Sequence, residues 1–262
     1  MAELMRGKRG LVMGVANDRS IAWGIARALA EEGAELAFSF QGEAFGKRVA
    51  PLAASVGSDL LVDVDVTDEA SLDAAFETLR ARWGRMDFLI HAIAYSDKNE
   101  LHGRFIHTSR ANFKHSLDVS CYSFIDVSRR AAEMMPEGGS LVTLTYGGSN
   151  RVTPFYNVMG VAKAALEASV RYLANDLGPQ GVRVNAISPG PMKTLAGAVI
   201  GGARKTYRFT EANAPLRRNA TLESVGGAAV FLCSDYGACT TGDVIMVDSG
   251  YHVLGMPQPE NI

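Results

Sequence analysis

The chain is poor in cysteine. Its 262 residues include three, Cys121, Cys233 and Cys239, without paired or metal-like spacing. That pattern excludes a disulfide framework and a thiolate metal clip. Cys121 and Cys233 fall in apolar helical runs, where cysteine serves as a small buried hydrophobe. Thiols rather than disulfides are expected of a cytoplasmic protein. The five histidines, His91, His102, His107, His115 and His252, form no close cluster, so no metal is expected. An excess of either charge is lacking too. Lys and Arg number 26 against 28 Asp and Glu, a net charge of -2, which argues against nucleic acid as a partner. No run approaches the roughly 18 apolar residues of a membrane span. The opening stretch, residues 1–8, is too short and polar for a signal peptide. There is no internal repeat, low-complexity tract or linker. What remains is a globular composition, 47% hydrophobic with 27 glycines.

Short β-rich runs alternate with helical patterns. Strands are expected over 9–15, 35–40, 59–66, 86–94, 140–146, 183–188 and 244–247. Helices are expected over 21–32, 43–56, 69–83, 112–135, 157–177 and 222–234. Several strands are nearly continuous in apolar residues, as in Phe88-Leu89-Ile90, the mark of strands covered on both faces. The rhythm implies an α/β fold: one Rossmann-type, doubly wound domain over 1–262, with a mainly parallel seven-stranded sheet and helices on both faces. Two loops exceed what connection needs, 95–111 and 189–220. The second carries a short helical pattern near 194–206 and is expected to form a substrate-binding loop at about 190–220. Both follow strands, placing them at the carboxyl edge of the sheet, where ligands bind.

The first strand runs into Gly14 and then Ser20-Ile21. Gly14 permits a tight turn. Ser20 is a good helix N-cap, and the helix start could hold a pyrophosphate. The full G-x-G-x-x-G is absent, so an ordinary strand–turn–helix corner is the alternative. The second strand ends at Phe40-Gln41-Gly42, without the acid that marks NAD or an adjacent Arg that marks NADP. The residues alone leave the cofactor open. Asp65-Val66 could receive an adenine, or Asp65 could cap the next helix.

Tyr156 is followed seven residues later by Lys163, at the head of a long helical pattern. Seven residues is about two helical turns, so both side chains can share one face. A phenol with an ammonium partner suits a reduction in which charge develops on a carbonyl oxygen. The basic residues Arg204, Lys205, Arg208, Arg217 and Arg218 could attract an acidic partner or simply form a solvated surface.

With Gly14, Ser20-Ile21-Ala22-Trp23-Gly24, Asp65-Val66, His91-Ala92-Ile93-Ala94, Tyr146, the run from Tyr156 to Ala164, the run from Pro189 to Ala196 and Asp248-Ser249-Gly250-Tyr251, the chain resembles a short-chain dehydrogenase/reductase. Within that superfamily it is similar to the bacterial NADH-dependent enoyl-acyl-carrier-protein reductases of fatty acid biosynthesis. The superfamily's usual pair is Tyr-x-x-x-Lys. Here Met159 stands four residues before Lys163, and the tyrosine lies three residues further upstream. A carbonyl or 3-ketoacyl reductase predicts Tyr at 159, and a nonenzymatic dinucleotide-binding regulator predicts loss of Tyr156 or Lys163.

The resemblance implies reduction of the carbon–carbon double bond of trans-2-enoyl-acyl-carrier-protein thioesters, the final reductive step of the elongation cycle. It implies Tyr146, Tyr156 and Lys163 as catalytic residues. Ser96, Tyr156 and Met159 meet the substrate. The cofactor is NADH, with NADPH as the alternative. Gly14, Ser20, Ile21, Gln41, Asp65, Val66 and Ile93 bind it, as do Lys163, Met192, Lys193, Thr194, Leu195 and Ala196. Partners are the acyl carrier protein, small enoyl thioesters and three further copies in a homotetramer, without nucleic acid or membrane. Ala92-Ile93-Ala94 departs from the Ser-Ile-Gly of many relatives, at the substrate edge.

Overall fold

A computed structural model describes residues 3–194 and 202–261. The strands are β1 (Arg9–Met13), β2 (Glu35–Phe40), β3 (Leu60–Asp63), β4 (Phe88–His91), β5 (Gly139–Leu144), β6 (Val182–Pro189) and β7 (Val244–Val247). They form one sheet in the order β3-β2-β1-β4-β5-β6-β7, and every pairing is parallel. The helices are α1 (Ile21–Glu31), α2 (Gly42–Ser55), α3 (Glu69–Trp83), α4 (Arg110–Leu117), α5 (Ser123–Ala132), α6 (Val158–Leu177), α7 (Ala203–Asn213) and α8 (Leu222–Cys233).

The apolar strands sort their residues by alternation. Leu11 and Met13 of β1 join one core with Leu72, Phe76, Phe124 and Leu166. Val12 of the same strand joins the other core with Ile25, Leu29, Val49 and Val225. Two apolar layers, one on each sheet face, explain why the strands read as continuous rather than alternating. Local chemistry fixes several helix starts: Asp68 accepts from Ala70 N–H, and Thr221 and Ser224 form a reciprocal capping box. No helix among the described residues is long and apolar enough to cross a membrane.

Three expectations need correction. The strand expected over 59–66 is ordered as β structure only at Leu60–Asp63, so Asp65 and Val66 lie beyond it. The helix expected over 112–135 is broken by a π-helical turn at Asp118–Tyr122 between α4 and α5. Most important, Tyr156 is not on the helix that carries Lys163. That helix begins at Val158, and its N-cap, Asn157, has φ +40°. Phe155 also has positive φ, +62°. Two left-handed residues therefore flank the tyrosine, a costly backbone for non-glycine residues.

Candidate active site

The order of strands reverses between β1 and β4, where a crevice opens at the carboxyl edge. A cavity of about 750 Å3 lies there. Segments following β1, β4, β5 and β6 line it: Gly14, Ala92 to Asn99, Thr145 and Tyr146, and Gly190 to Met192 with Thr194. Tyr156, Met159 and Lys163 join from the other side, and Ala203 and Thr206 of α7 close a further part of the wall.

Sequence reasoning placed Gly14 at a tight turn, and φ there is +96°. A Cβ at this position would stand 2.2 Å from Ala92 O, so the residue needs both the turn and the space. Ser20 behaves differently from expectation. Its hydroxyl donates to Asn17 O at 2.6 Å and makes no capping bond to α1. The serine shapes the loop, its carbonyl accepts from Trp23 and Gly24 N–H, and the N–H groups of Ile21 and Ala22 are left to an anion. Ser20, Ile21, Ile93, Met192 and Thr194 all line the cavity. Gln41, Asp65, Val66 and Lys193 do not. Gln41 and Asp65 nevertheless meet at the ends of β2 and β3. The Asp65 carboxyl is held below its usual range by hydrogen bonds from Thr67 and, further down the order of effect, from Gln41. Lys193 places its ammonium 4.4 Å from the Tyr207 ring centroid. Leu195 and Ala196 lie outside the described residues, as do 197–201 of the expected loop.

Tyr156 is buried, 6% exposed, and meets Tyr146 edge-on with ring centroids 5.1 Å apart. Burial, then the neighbouring Tyr146 and Glu167, pushes its phenol well above the usual tyrosine range. It is therefore a neutral O–H donor at any working pH. The ring lies over Gly148, where a Cβ would approach Tyr156 Cδ1 to 2.4 Å. Tyr156 O accepts from Met159 N–H at 2.9 Å, which locks the tyrosine just before the first turn of α6.

Lys163 is 5% exposed and donates to Leu144 O at 2.7 Å. Burial lowers its pKa to about 8, partly opposed by Cys121 and Glu167. Glu167 lies one turn along α6 and accepts from Thr145 Oγ1 at 2.5 Å. His91, at the end of β4, is wholly buried between Thr143 and Ser123 hydroxyls, and burial followed by Lys163 lowers its pKa to about 3. The ring is neutral and adds no second charge beside Lys163.

Sequence reasoning missed several residues around this site. Asn157 Nδ2 donates to Glu100 O and Leu101 O, each at 3.2 Å, tying the head of α6 to the loop after β4. Leu101 then packs in one buried cluster with Tyr156, Val158 and Met159. The available signal was an asparagine at a helix start, a residue that tolerates left-handed backbone. Ser96, expected to meet substrate, lines the cavity, but its hydroxyl is engaged by Ser116 and Asn112.

Comparisons with known proteins give the family. Residues 14–252 match the family described as Enoyl-(Acyl carrier protein) reductase. The chain is 58% identical over 260 residues to "Enoyl-[acyl-carrier-protein] reductase [NADH] 2" of Rhizobium meliloti, covering 99% of this chain and 97% of the relative. The FabI crystal structure from Candidatus Liberibacter asiaticus matches with TM-score 0.97 and 51% identity, over 98% of this chain and 100% of that one. The enoyl-(acyl-carrier-protein) reductase of Anaplasma phagocytophilum, solved in complex with NAD, matches with TM-score 0.96 and 53% identity, over 98% of both chains. Matched over nearly its whole length by that family and by these relatives, this chain belongs to the enoyl-acyl-carrier-protein reductase family.

Proposed function

We propose that Tyr156 and Lys163 perform the family's reaction in this cavity, with Tyr156 as donor to the thioester oxygen and Lys163 as the cofactor-binding cation. The chain is an NADH-dependent reductase of enoyl-acyl-carrier-protein thioesters, acting in fatty acid elongation. The single observation that carries the assignment of roles is the burial of a neutral phenol and an ammonium against one cavity wall. NADH fits the donor set. Gly14 lets the turn after β1 pass close against Ala92 at the cavity wall, and the start of α1 offers N–H groups to a pyrophosphate. Ile21, Ile93, Met192 and Thr194 would border the cofactor, and Gln41 with Asp65 would meet its adenosine end. When bound, NADH supplies a hydride to the substrate β-carbon.

The residues of this chain supply the rest. As the double bond is reduced, negative charge moves through the conjugated system to the thioester oxygen. Tyr156 Oη–H stabilises that charge more than it stabilises the ground-state carbonyl. Lys163 would hold the ribose hydroxyls and place positive charge behind the developing anion. Tyr146 walls the acyl chain and fixes the Tyr156 ring edge-on. Met159 offers an apolar surface where a carbonyl reductase would carry its acid. The test is loss of absorbance at 340 nm with crotonyl thioester, run with NADH and then NADPH. Oxidation of neither cofactor would reject the reading.

The substrate loop about 190–220 includes α7, which turns Ala203 and Thr206 to the cavity while Arg204, Lys205 and Arg208 are exposed. We assign this basic face to the acidic carrier protein. Reversing charge in Arg204→Glu with Lys205→Glu is expected to raise KM about tenfold for carrier-bound substrate and to leave KM for a coenzyme A thioester unchanged. Equal effects on both substrates would remove the docking role.

Phe113, Tyr122, Val161 and Tyr172 leave large apolar groups exposed along α4, the π-turn and α6. A homotetramer would cover such faces, and light scattering should return the mass of four chains rather than one. Three free thiols fit a single reductase domain working in the reducing cytoplasm, which cell fractionation would check.

A further inference from the structure

A helix packed on the rest of the fold normally presents apolar groups inward. Asn112, Ser116 and Ser120 break that rule. They are 6%, 0% and 0% exposed and stand four residues apart, one to each turn. Each holds a successive part of the segment leaving β4. Ser120 Oγ accepts from Tyr95 N–H at 2.9 Å and donates to Tyr95 O at 3.0 Å. Ser116 Oγ donates to Ser96 Oγ at 2.9 Å. Asn112 Oδ1 accepts from Asp97 N–H at 3.0 Å, and its amide donates to Glu100 Oε2 at 3.3 Å.

The physical need is plain. Past His91 the chain leaves the ladder, and its backbone polar groups require new partners. Ser120 and Asn112 supply them at Tyr95 and Asp97, and Ser116 holds the Ser96 hydroxyl between them, without filling the space an aliphatic residue would take. The π-turn that contains Ser120 is a form found mostly as a single inserted turn, frequently at functional sites. Ser120 Oγ also lies 3.8 Å from Met159 Sδ, so the row reaches the side chain that replaces the ordinary tyrosine.

We propose that Asn112, Ser116 and Ser120 are positioning residues for the enoyl substrate, holding Tyr95, Ser96 and Met159 as a preset wall beside Tyr156. The inference rests on reading the cavity as the enoyl site. None of the three lines the cavity, whereas Tyr95, Ser96, Asp97 and Met159 all do. The pyrophosphate end is built from Gly14, Ser20 and Ile21, which the row does not touch. Its influence should therefore fall on the acyl substrate and not on NADH.

Ser120→Ala and Ser116→Ala each remove one hydroxyl and add no volume. Each variant is expected to raise KM for crotonyl thioester about tenfold, the equivalent of one hydrogen bond, with kcat within about twofold and the Kd for NADH unchanged. NADH binding by fluorescence and turnover at 340 nm separate the two. An unchanged KM in folded variants, or an equal loss of NADH affinity, overturns the positioning role. If Ser120→Ala does not fold, Ser116→Ala carries the test, and if neither folds the row is structural and the proposal falls. Absence of any enoyl reduction by the unsubstituted chain would instead defeat the reading of the cavity, a separate outcome.

Discussion

Replacing Tyr156 with phenylalanine is expected to lower kcat by about two orders of magnitude, close to 3 kcal/mol, while NADH binds as before. The ring stays, so packing against Gly148, Tyr146 and Leu101 is kept. Only the O–H is lost. Because burial holds that phenol protonated, its contribution is hydrogen-bond donation to an oxygen gaining charge, which is greatest in the transition state. The loss should therefore appear in kcat, with little change in KM. Single-turnover reduction at saturating NADH checks it, and near-normal turnover in the variant would remove Tyr156 from its role.

Lys163→Met is expected to weaken NADH binding by on the order of 100-fold, about 3 kcal/mol, as charge-assisted bonds to the ribose are lost. The same variant should melt no lower than the parent without cofactor. The ammonium is buried and pays a desolvation penalty, which an apolar side chain of similar length does not. The sign of the pH dependence follows. Burial lowers the lysine pKa to about 8 in the cofactor-free protein, so the cation is present below that pH and is lost as pH rises through it. NADH affinity should be flat below about pH 8 and fall above it. His91 cannot produce this limb, since its pKa near 3 leaves it neutral throughout. Titration of Kd by fluorescence is the measurement. An affinity that stays level to pH 10, or a Lys163→Met variant binding as tightly as the parent, would defeat the assignment.

Much of the architecture was legible because its causes are local or periodic. Apolar strands between helical patterns forced a parallel sheet, and Gly14 at the end of β1 marked a turn that the structure makes with positive φ. The site was legible in composition but not in geometry. Tyr156 and Lys163 do reach one cavity, yet not by sharing a helix face. Helical spacing could not reveal this, because the turn before α6 depends on Asn157 reaching Glu100 and Leu101 more than 50 residues away in the chain. The break at Asp118–Tyr122 was hidden for a similar reason. Its sequence suits a helix, and what distinguishes it is the bond Ser120 makes to Tyr95 across the fold. The polar row was not read from the sequence, because Asn112 and Ser116 are the buried residues of an otherwise largely exposed helix and their partners lie in a loop 15 to 25 residues away. Ser20 illustrates the opposite case, in which a residue suited to capping turned its hydroxyl to the preceding loop.

The left-handed residues on either side of Tyr156 bear on how such enzymes can be engineered. Moving a tyrosine from position 159 to 156 in a carbonyl reductase exchanges two side chains and does not by itself supply the positive-φ residues that flank Tyr156 here. Transplanting this activity calls for the whole corner from Thr153 to Asn157, together with the Glu100–Gly103 strip that its asparagine grips. The unit of exchange between the two chemistries is a pair of interlocked loops.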